Sequence, residues 1–259
     1  MSDLPIYLNT NDEWSQMMLL YDSAIKEIRT KLEILNNEFK LSHQYNPIEH
    51  IESRLKSMDS IARKLRRRDK ELTTSNVMMY VNDVAGIRII CSFTSDIYRI
   101  ANAISGQSDI EILKIKDYIK NPKENGYMSY HMIITVPIFL SDKAVRTKIE
   151  IQIRTIAMDF WASLEHKIYY KFEGNAPHGI RAELKECADI VAYLDKKMLS
   201  INESVKEFAE KDSTRDEYLD GYTSPVLDLE PISYIIEDSG SNNTDGKEKK
   251  KKRWKAGGR

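Results

Sequence analysis

The clearest pattern in the chain is a strict alternation of apolar and polar residues over positions 147–154, which read TKIEIQIR. Such alternation predicts a β-strand with three isoleucines facing a core. The other face would carry Lys148, Glu150, Gln152 and Arg154. An ordinary amphipathic strand with a solvated outer face would show the same pattern. A carboxylate, an amide and two cations on one face also suit an anionic ligand and a metal ion, so the neighbouring segments must decide between these interpretations.

Two long segments have apolar residues at alternating steps of four and three, which predicts a long helix near each end of the chain. The first segment spans residues 14–39 and ends before Asn46 and Pro47, and the second spans residues 184–208. A helix of this kind packs on its own domain, or it also pairs with a second subunit. The pattern leaves both arrangements open.

Residues 51–56 are interpreted as a strand because of two cations. In a helix, Arg54 and Lys56 would point about 200° apart, and only an extended chain brings them to one side. A helix that begins near Ser57 would then place Ser60 and Lys64, at positions i and i+4, on a common face. The segment therefore predicts a strand followed by a helix, both with cations directed to one ligand.

Three further apolar runs predict strands at residues 81–93, 110–116 and 129–136. Asp83 stands at the entrance of the first run, and Arg88 interrupts it. Because an arginine is rarely buried without a partner, we expect Arg88 to emerge at an edge lined by ligand. His131 lies near the start of the last run and is a candidate only through its neighbours.

The segment between the second and third of these strands, residues 116–127, interleaves cations with aromatic residues. Turn signals at 121–122 and 125–126 mark it as a loop. Cations suit the phosphates of a nucleotide and ring faces suit its base. A lysine-rich surface loop would have a similar composition. The residues concerned are Lys116, Lys120, Lys123, Tyr118 and Tyr127.

Composition limits the classes of function. The 259 residues are 41% hydrophobic, which is enough for a core, and the formal net charge is -1. Any anion site is therefore a local cluster rather than an effect of bulk charge. Cys91 and Cys187 lie in apolar runs, which predicts buried thiols in a reducing compartment. No apolar run approaches the roughly 20 residues of a membrane span, so a soluble cytoplasmic protein is expected.

The last part of the chain, from about residue 212, has no periodicity. An acidic stretch precedes a Ser/Gly/Asn segment and a basic run at residues 247–255. Charge blocks without periodicity predict a disordered tail over residues 212–259. The basic end could contact RNA, but a solvated tail is the favoured interpretation.

The candidate chemistry depends on two carboxylates. The chain has no phosphate-binding GxxxxGK[ST], no GxGxxG, no HExxH and no CxxC zinc pattern. Asp83 and Glu150 remain, on neighbouring strand edges among many cations. Mg²⁺ takes one or two carboxylates together with substrate phosphates, and Arg and Lys neutralise charge on a transferred group. Phosphoryl-type transfer between nucleotides is predicted. His43 and His50, near a turn, could hold a metal, although two histidines on a turn more often do not.

Five sequence blocks in this order resemble the synthetase domain of the RelA/SpoT family, most closely its small single-domain alarmone synthetases of the RelP/RelQ type. The resemblance runs from about residue 12 to residue 208. One motif alone would be weak, but five in the right order are highly specific. The blocks are RLKSMDSIARK at 54–64, DVAGIR at 83–88, KDYIKNPKENGYMSYH at 116–131, EIQIRT at 150–155 and WASLEH at 161–166.

This resemblance implies an α+β fold, with a mixed β-sheet flanked by helices, related to nucleotidyltransferases, and long N- and C-terminal helices. It divides the chain into an N-terminal helix (1–46), a synthetase core (47–175), a C-terminal helix (176–211) and the tail (212–259). It implies transfer of the β,γ-pyrophosphate of ATP to the 3′-hydroxyl of GDP or GTP, giving ppGpp or pppGpp and AMP. It also implies a homotetramer joined through the terminal helices.

The resemblance assigns the donor nucleotide to residues on the N-terminal side of the core. Arg54 and Arg88 would lie on either side of the ATP adenine. Lys56, Ser60 and Lys64 would hold the ATP phosphates.

The same resemblance assigns the metal ion and the acceptor nucleotide. Asp83 and Glu150 would carry Mg²⁺, and Glu150 is also the candidate to activate the 3′-hydroxyl. Tyr127 would stack on guanine. Further contacts to the acceptor are assigned to Lys116, Lys123, His131 and Gln152.

Two departures refine this expectation. Met128 stands where the family usually has arginine, so a cation is lost near the acceptor phosphates and the preference among GMP, GDP and GTP is open. No histidine is followed by aspartate, so the hydrolase motif of the family is absent and a synthetase without hydrolase activity is expected. Two rivals stay open: a related toxin that pyrophosphorylates tRNA, and a catalytically silent nucleotide-binding regulator, which the two intact carboxylates disfavour.

Overall fold

Alternating helices and strands build one sheet between two long helices. The computed structural model describes residues 6–43, 45–172 and 177–216. Its elements are α1 Ile6–His43, β1 Ile48–Leu55, α2 Met58–Arg66, α3 Thr74–Tyr80, β2 Ala85–Cys91, α4 Thr94–Ser105, β3 Glu111–Asp117, β4 Tyr130–Phe139, β5 Ala144–Thr155, α5 Ile156–Lys171 and α6 His178–Asp216.

The five strands form a single mixed sheet in the order β1-β2-β5-β4-β3. The β2–β5 pair is parallel, and the other three pairs are antiparallel. The α+β fold with a mixed sheet flanked by helices is therefore confirmed. The predicted strand at 51–56 lies within and just beyond β1, as its two cations required. The strand predicted from residue 81 begins later, at Ala85, because residues 81–84 form a loop whose buried ends are Val81 and Val84.

The main core lies on one face of the sheet. Ile149, Ile151 and Ile153 of β5 have no exposed surface, as the alternation predicted. They belong to one cluster with Leu32 of α1 and Ile97 of α4. Burial of such side chains contributes about 1.5–3 kcal/mol each. The opposite face of β5 is thereby left to its polar residues.

The two long helices differ in how much of their apolar stripe the chain itself covers. In α1, Tyr21, Ile28 and Leu32 are buried in the main core, so packing on its own domain is confirmed for this helix. In α6, Val191 is buried, but the apolar stripe beyond it is exposed. The exposed side chains are Leu194, Met198, Ile201, Val205 and Phe208.

A second, smaller core fixes the first half of α6 to α5. Trp161, Ala188 and Val191 pack together, and the indole Nε1 of Trp161 donates a hydrogen bond to Leu184 O at 2.9 Å. The Thr155 hydroxyl donates to Asp195 Oδ2 at 2.6 Å. These contacts hold α6 beside the junction of β5 and α5.

The cysteines only partly follow the sequence prediction. Cys91 is buried in β2, and burial raises the pKa of its thiol. Cys187 is exposed, so the prediction of two buried thiols is wrong for this residue. Cys187 directly precedes Ala188 of the smaller core in α6, and its thiol points away from that core.

The predicted tail begins within a helix. Helix α6 continues to Asp216, into the segment that was predicted to be a disordered tail. The remainder of that segment, with the basic run at 247–255, lies outside the described residues. Residues 1–212 form one compact unit, and 213–259 form a second, of which only the last turn of α6 is described. The predicted domain limits stay predictions. Within the described ranges, none of the helices combines the length and apolar character needed to cross a bilayer.

Candidate active site

A row of polar side chains crosses the sheet from one edge to the other, on the face opposite the core isoleucines. Each strand contributes one member, because neighbouring strands pair at these positions. Arg54 and Glu150, two positions along β1 and β5, point to the same face. The members of the row, in sheet order, are Glu52, Arg88, Gln152, His131 and Lys116.

An open groove of about 690 Å³ lies over this polar row. A smaller cavity of about 60 Å³ adjoins it, where Asp83 and Glu150 line a common wall with Arg54. Most of the residues predicted from the sequence line the groove: Arg54, Asp83, Arg88, Lys116, Lys123, Tyr127, His131, Glu150 and Gln152. The structure thus brings the predicted site together around β5.

Three predicted residues, Lys56, Ser60 and Lys64, lie in α2 or just before it, at the margin of the groove. Lys56 and Lys64 both contact Asp83, which lines the groove. Ser60 accepts hydrogen bonds from the Ser57 hydroxyl at 2.9 Å and from Arg63 Nη2 at 3.1 Å. Ser60 lies one helical turn from Lys64, as the i, i+4 spacing predicted.

Asp83 is held by two lysines. Lys56 Nζ donates to its Oδ2 and Lys64 Nζ donates to its Oδ1, both at 2.7 Å. Burial would raise the pKa of Asp83, but the hydrogen bonds and charges of the two lysines outweigh it and lower the pKa below its ordinary value. The carboxyl group is therefore ionised at neutral pH, and both of its oxygens are in contact with cations.

Glu150 is ionised for a different reason. Burial would raise the pKa of Glu150, and the charge of Asp83 acts in the same direction. Hydrogen bonding to His131 and Gln152 outweighs both, so the pKa lies below its ordinary value. Gln152 Nε2 donates to Glu150 Oε2 at 2.9 Å, and His131 Nδ1 lies 3.6 Å from Oε1. Both carboxylates line the smaller cavity.

Arg88 has the environment expected of an arginine that emerges into a ligand groove. Its Nη1 lies 3.2 Å from Glu52 Oε2 and 3.4 Å from Asp159 Oδ1. Its Nε is buried and has no hydrogen-bond partner among the described residues. A buried donor of this kind is costly unless a ligand or water satisfies it. The guanidinium is therefore held at Nη1 by two carboxylates, and its Nε is available to a ligand.

The loop after β3 presents aromatic rings to the groove. Tyr118, Tyr127 and His131 contact one another edge to face, with ring centroids 5.3–6.0 Å apart. Lys123 Nζ lies 4.4 Å from the Tyr127 ring centroid and 4.9 Å from that of Tyr118. Such cation–π contacts are typically worth about 0.5–2 kcal/mol. Lys123 therefore covers the ring face that the sequence assigned to a base.

Arg154 is the residue whose importance the sequence did not reveal. It is only 5% exposed although it ends the polar alternation of β5. Its Nη2 donates to Tyr127 Oη at 2.6 Å and to Gln152 Oε1 at 3.0 Å, and its Nη1 donates to Asp159 Oδ1 at 2.9 Å. Tyr127 Oη in turn lies 2.9 Å from His131 Nε2. One buried guanidinium thus connects the aromatic loop, the strand and α5.

Gly126 of the aromatic loop lies against α6, and a larger side chain at this position is expected to destabilise the protein. Its φ is +85°, and an added Cβ would lie 2.4 Å from Ala188 Cβ. Left-handed strain of roughly 1–2 kcal/mol and overpacking of roughly 1–3 kcal/mol should together lower the free energy of unfolding of Gly126→Ala by about 2–5 kcal/mol. Denaturant unfolding measures this.

Gly179→Ala is the matched control for that variant. An added Cβ at Gly179 meets no atom within 4 Å, and the residue lies in the first turn of α6. Its stability should be unchanged or slightly increased, since alanine favours helix. Equal stabilities of the two variants would contradict the proposed contact of the loop with α6.

Met128 does not face the groove. Its side chain packs, partly buried, against the main core, together with Tyr130. Alternation along the chain places Met128 and Tyr130 on one side and Tyr127, Ser129 and His131 on the other. The effect of Met128 on the preference among GMP, GDP and GTP stays a prediction.

The oxygen atoms at the junction of the two cavities fit a hard divalent cation. The described residues include no cluster of three or more His, Cys, Asp and Glu side chains that could hold a metal alone. Asp83 and Glu150 supply two ionised carboxylates, and Mg²⁺ commonly takes one or two carboxylates plus substrate phosphates. His50 is exposed on β1, away from this pair; the side chain of His43 lies outside the described residues. The donor set suits a metal that arrives with a nucleotide.

Comparison with known proteins gives one consistent result. Residues 53–175 match the family described as "Region found in RelA / SpoT proteins". The chain is 50% identical over 194 residues to the GTP pyrophosphokinase YwaC of Bacillus subtilis, covering 75% of this chain and 92% of that protein. It is 33% identical over 195 residues to the GTP pyrophosphokinase YjbM of the same organism, covering 75% and 91%.

Solved structures agree with the sequence matches. The small alarmone synthetase 2 from Bacillus subtilis superposes with a TM-score of 0.68 at 47% identity, covering 74% of this chain and 99% of that one. The small alarmone synthetase 1 from the same organism, bound to its product pppGpp, gives a TM-score of 0.69 at 32% identity, covering 74% and 97%. The chain therefore belongs to the RelA/SpoT family and is similar to its small alarmone synthetases.

Proposed function

We propose that the chain is a GTP pyrophosphokinase that transfers the β,γ-pyrophosphoryl group of ATP to the 3′-hydroxyl of GDP or GTP, giving ppGpp or pppGpp and AMP. The observation that carries this proposal is the order of the polar row. The residues assigned to the donor lie on β1, β2, α2 and the segment before α2, and those assigned to the acceptor lie on β3, the following loop and β4, with Gln152 on β5 itself. Between the two sets lies β5, with Glu150. Two nucleotides bound side by side would meet at this carboxylate.

The donor side combines two arginines with a group of hydroxyl and ammonium donors. Arg54 and Arg88 lie on paired strands and line the smaller cavity, and guanidinium planes stack on a purine. Lys56, Ser60 and Lys64 supply positive charge and hydrogen bonds for the ATP phosphates. The two lysines would exchange Asp83 oxygens for phosphate oxygens when ATP binds, which would release the carboxylate for a metal ion.

The acceptor side depends on the aromatic loop. Tyr127 offers its ring to guanine, and Lys123 must leave the ring face for the base to stack there. The released ammonium is then available to an acceptor phosphate. Lys116, His131 and Gln152 belong to the polar row and contact the acceptor beside Glu150. The preference among GMP, GDP and GTP is an outcome of the assay below.

The reaction is one displacement at phosphorus. Glu150 accepts the proton of the 3′-hydroxyl, and the 3′-oxygen forms a bond to the β-phosphorus of ATP. The bond from that phosphorus to the α,β-bridging oxygen breaks, and AMP leaves with the bond's electron pair. Cations on both sides stabilise the charge that develops on the transferred group. The lowered pKa of Glu150 keeps it in the basic form at neutral pH.

Asp83 and Glu150 would hold Mg²⁺. When bound, the ion neutralises phosphate charge and polarises the transferred group. Both carboxylates are ionised in this structure, which suits this role.

Incubation with ATP, Mg²⁺ and labelled GMP, GDP, GTP or tRNA tests the proposal. The expected products are a guanosine nucleotide with a 3′-diphosphate, together with AMP, and the substrate that reacts fastest sets the preference. Formation of a pyrophosphorylated product from tRNA alone, and from none of the guanosine nucleotides, would favour the related toxin activity. Absence of any product, with nucleotides still bound, would identify a silent regulator. Incubation with ppGpp should give no hydrolysis.

We further propose a homotetramer in the cytoplasm, and the exposed apolar stripe of α6 supports pairing between its subunits. Its side chains, from Leu194 to Phe208, are covered by no other part of the described chain. An exposed stripe of this length marks an interface, and a long helix suits pairing between subunits. Light scattering of the protein in solution measures the assembly.

A further inference from the structure

Asp83 lies on a short loop beside the beginning of β5. The loop, residues 81–84, connects α3 to β2. Its ends are fixed, because Val81 N donates to Val77 O at 2.9 Å and Lys56 N donates to Val84 O at 2.8 Å. On the side of β5, however, a cavity of about 130 Å³ separates α1 and α3 from the beginning of that strand. Val81 and Val84 are buried in the main core, so packing fixes the ends of the loop, and Asn82 and Asp83 lie between them.

A lysine of β5 crosses to this loop. Lys148 Nζ donates to Asn82 Oδ1 at 3.1 Å and lies 3.4 Å from Met79 O. Lys148 is half-buried, and burial lowers the pKa of its ammonium group. A cation that is partly removed from water needs oxygen acceptors, and the side chain of Asn82 and the end of α3 supply them.

The position of Lys148 links the two carboxylates. It lies two residues before Glu150 on the same strand face, and Asn82 immediately precedes Asp83. The parallel pairing of Gly86 with Glu150 fixes β2 against β5 beyond the loop. Lys148 supplies a second tie on the other side of Asp83. These two contacts, one on each side of Asp83 in the chain, restrict the distance of Asp83 from β5.

We propose that Lys148 is a positioning residue, which holds the Asn82–Asp83 segment against β5 so that Asp83 and Glu150 face the same cavity. It does not line the groove. The inference rests on the proposed function in one respect, since the two carboxylates are assumed to act together. Displacement of a reacting group by about 1 Å can reduce turnover about 100-fold.

Lys148→Met tests the proposal, because it removes the ammonium group and keeps an unbranched side chain. We expect kcat to fall about 10- to 100-fold, the KM for GDP to stay within about threefold, and the Mg²⁺ concentration for half-maximal activity to rise. Lys143→Met is the matched control. Lys143 is exposed in the turn between β4 and β5, and its variant should keep wild-type parameters. Lys148→Arg should recover part of the lost kcat.

A second variant separates positioning from a general effect on folding. Asn82→Ala removes the acceptor, so the double variant with Lys148→Met should lose no more activity than the worse single variant. Multiplied losses, or a kcat of Lys148→Met within about twofold of wild type, would overturn the proposal. Hydrogen exchange provides a readout without turnover: the amides of residues 79–86 should exchange faster in Lys148→Met and not in Lys143→Met.

The same experiments distinguish this inference from the proposed function. If the wild-type protein makes no 3′-diphosphate, the proposed function fails, whereas exchange at residues 79–86 still decides whether Lys148 holds the loop. If the wild-type protein is active and exchange in Lys148→Met is unchanged, only the positioning role fails.

Discussion

Glu150→Gln is expected to lower kcat by about 10²–10⁴-fold while the protein stays folded. Glutamine has nearly the same shape, but its neutral amide neither accepts the 3′-hydroxyl proton nor contributes a negative charge to a metal site. The wild-type carboxylate is ionised because hydrogen bonding to His131 and Gln152 outweighs the effect of burial on its pKa. Steady-state kinetics with ATP and GDP measures the loss, and binding of a non-hydrolysable ATP analogue should persist.

Glu111→Gln is the control for this variant. Glu111 begins β3, and its carboxylate is exposed and paired with Arg146 at 3.3 Å, outside the groove. It undergoes the same chemical change, and its kcat should stay within about twofold of wild type, since an exposed pair contributes little. Retention of more than about a tenth of wild-type kcat by Glu150→Gln would remove Glu150 as the base.

The catalytic face of the sheet could be predicted because its signal is local. Three isoleucines at period two identify the buried face of β5, and Glu150 and Gln152 then point to the other side. Arg54 and Lys56 could be placed because two cations reach one ligand only from an extended segment. The mixed sheet was expected from the family resemblance, and its strand order was not predicted, since periodicity does not determine which strands are neighbours.

The residues that the sequence misjudged depend on contacts between distant segments. Arg154 continues the polar alternation and lines the groove, but the alternation does not predict its burial, because Tyr127 and Asp159 come from other elements to enclose it. Cys187 lies in an apolar repeat that suggests burial, but Leu184, Ala188 and Val191 take the positions of α6 that face the smaller core, and Cys187 is left exposed.

Arg154→Lys should be the most damaging conservative substitution in the site. A lysine keeps the charge, but a single ammonium group cannot match the planar fork that reaches Tyr127, Gln152 and Asp159 together. Loss of buried, charged hydrogen bonds should lower the free energy of unfolding by about 2–4 kcal/mol. Because Tyr127 and Gln152 lose their positions, kcat/KM for GDP should fall about 10- to 100-fold. Denaturant unfolding and steady-state kinetics measure the two effects.

Arg146→Lys on the same strand distinguishes the role of Arg154 from a general intolerance of β5 to lysine. Arg146 also binds several oxygens, from Thr135, Glu111 and the Asp109 carbonyl, but its side chain is 46% exposed. Water can replace those partners, so the change in stability should stay below about 1 kcal/mol. If both variants lose the same stability and activity, burial of the guanidinium is not what holds Tyr127 in place. If only Arg154→Lys loses both, the acceptor side of the groove is organised around an arginine that contacts no reacting atom.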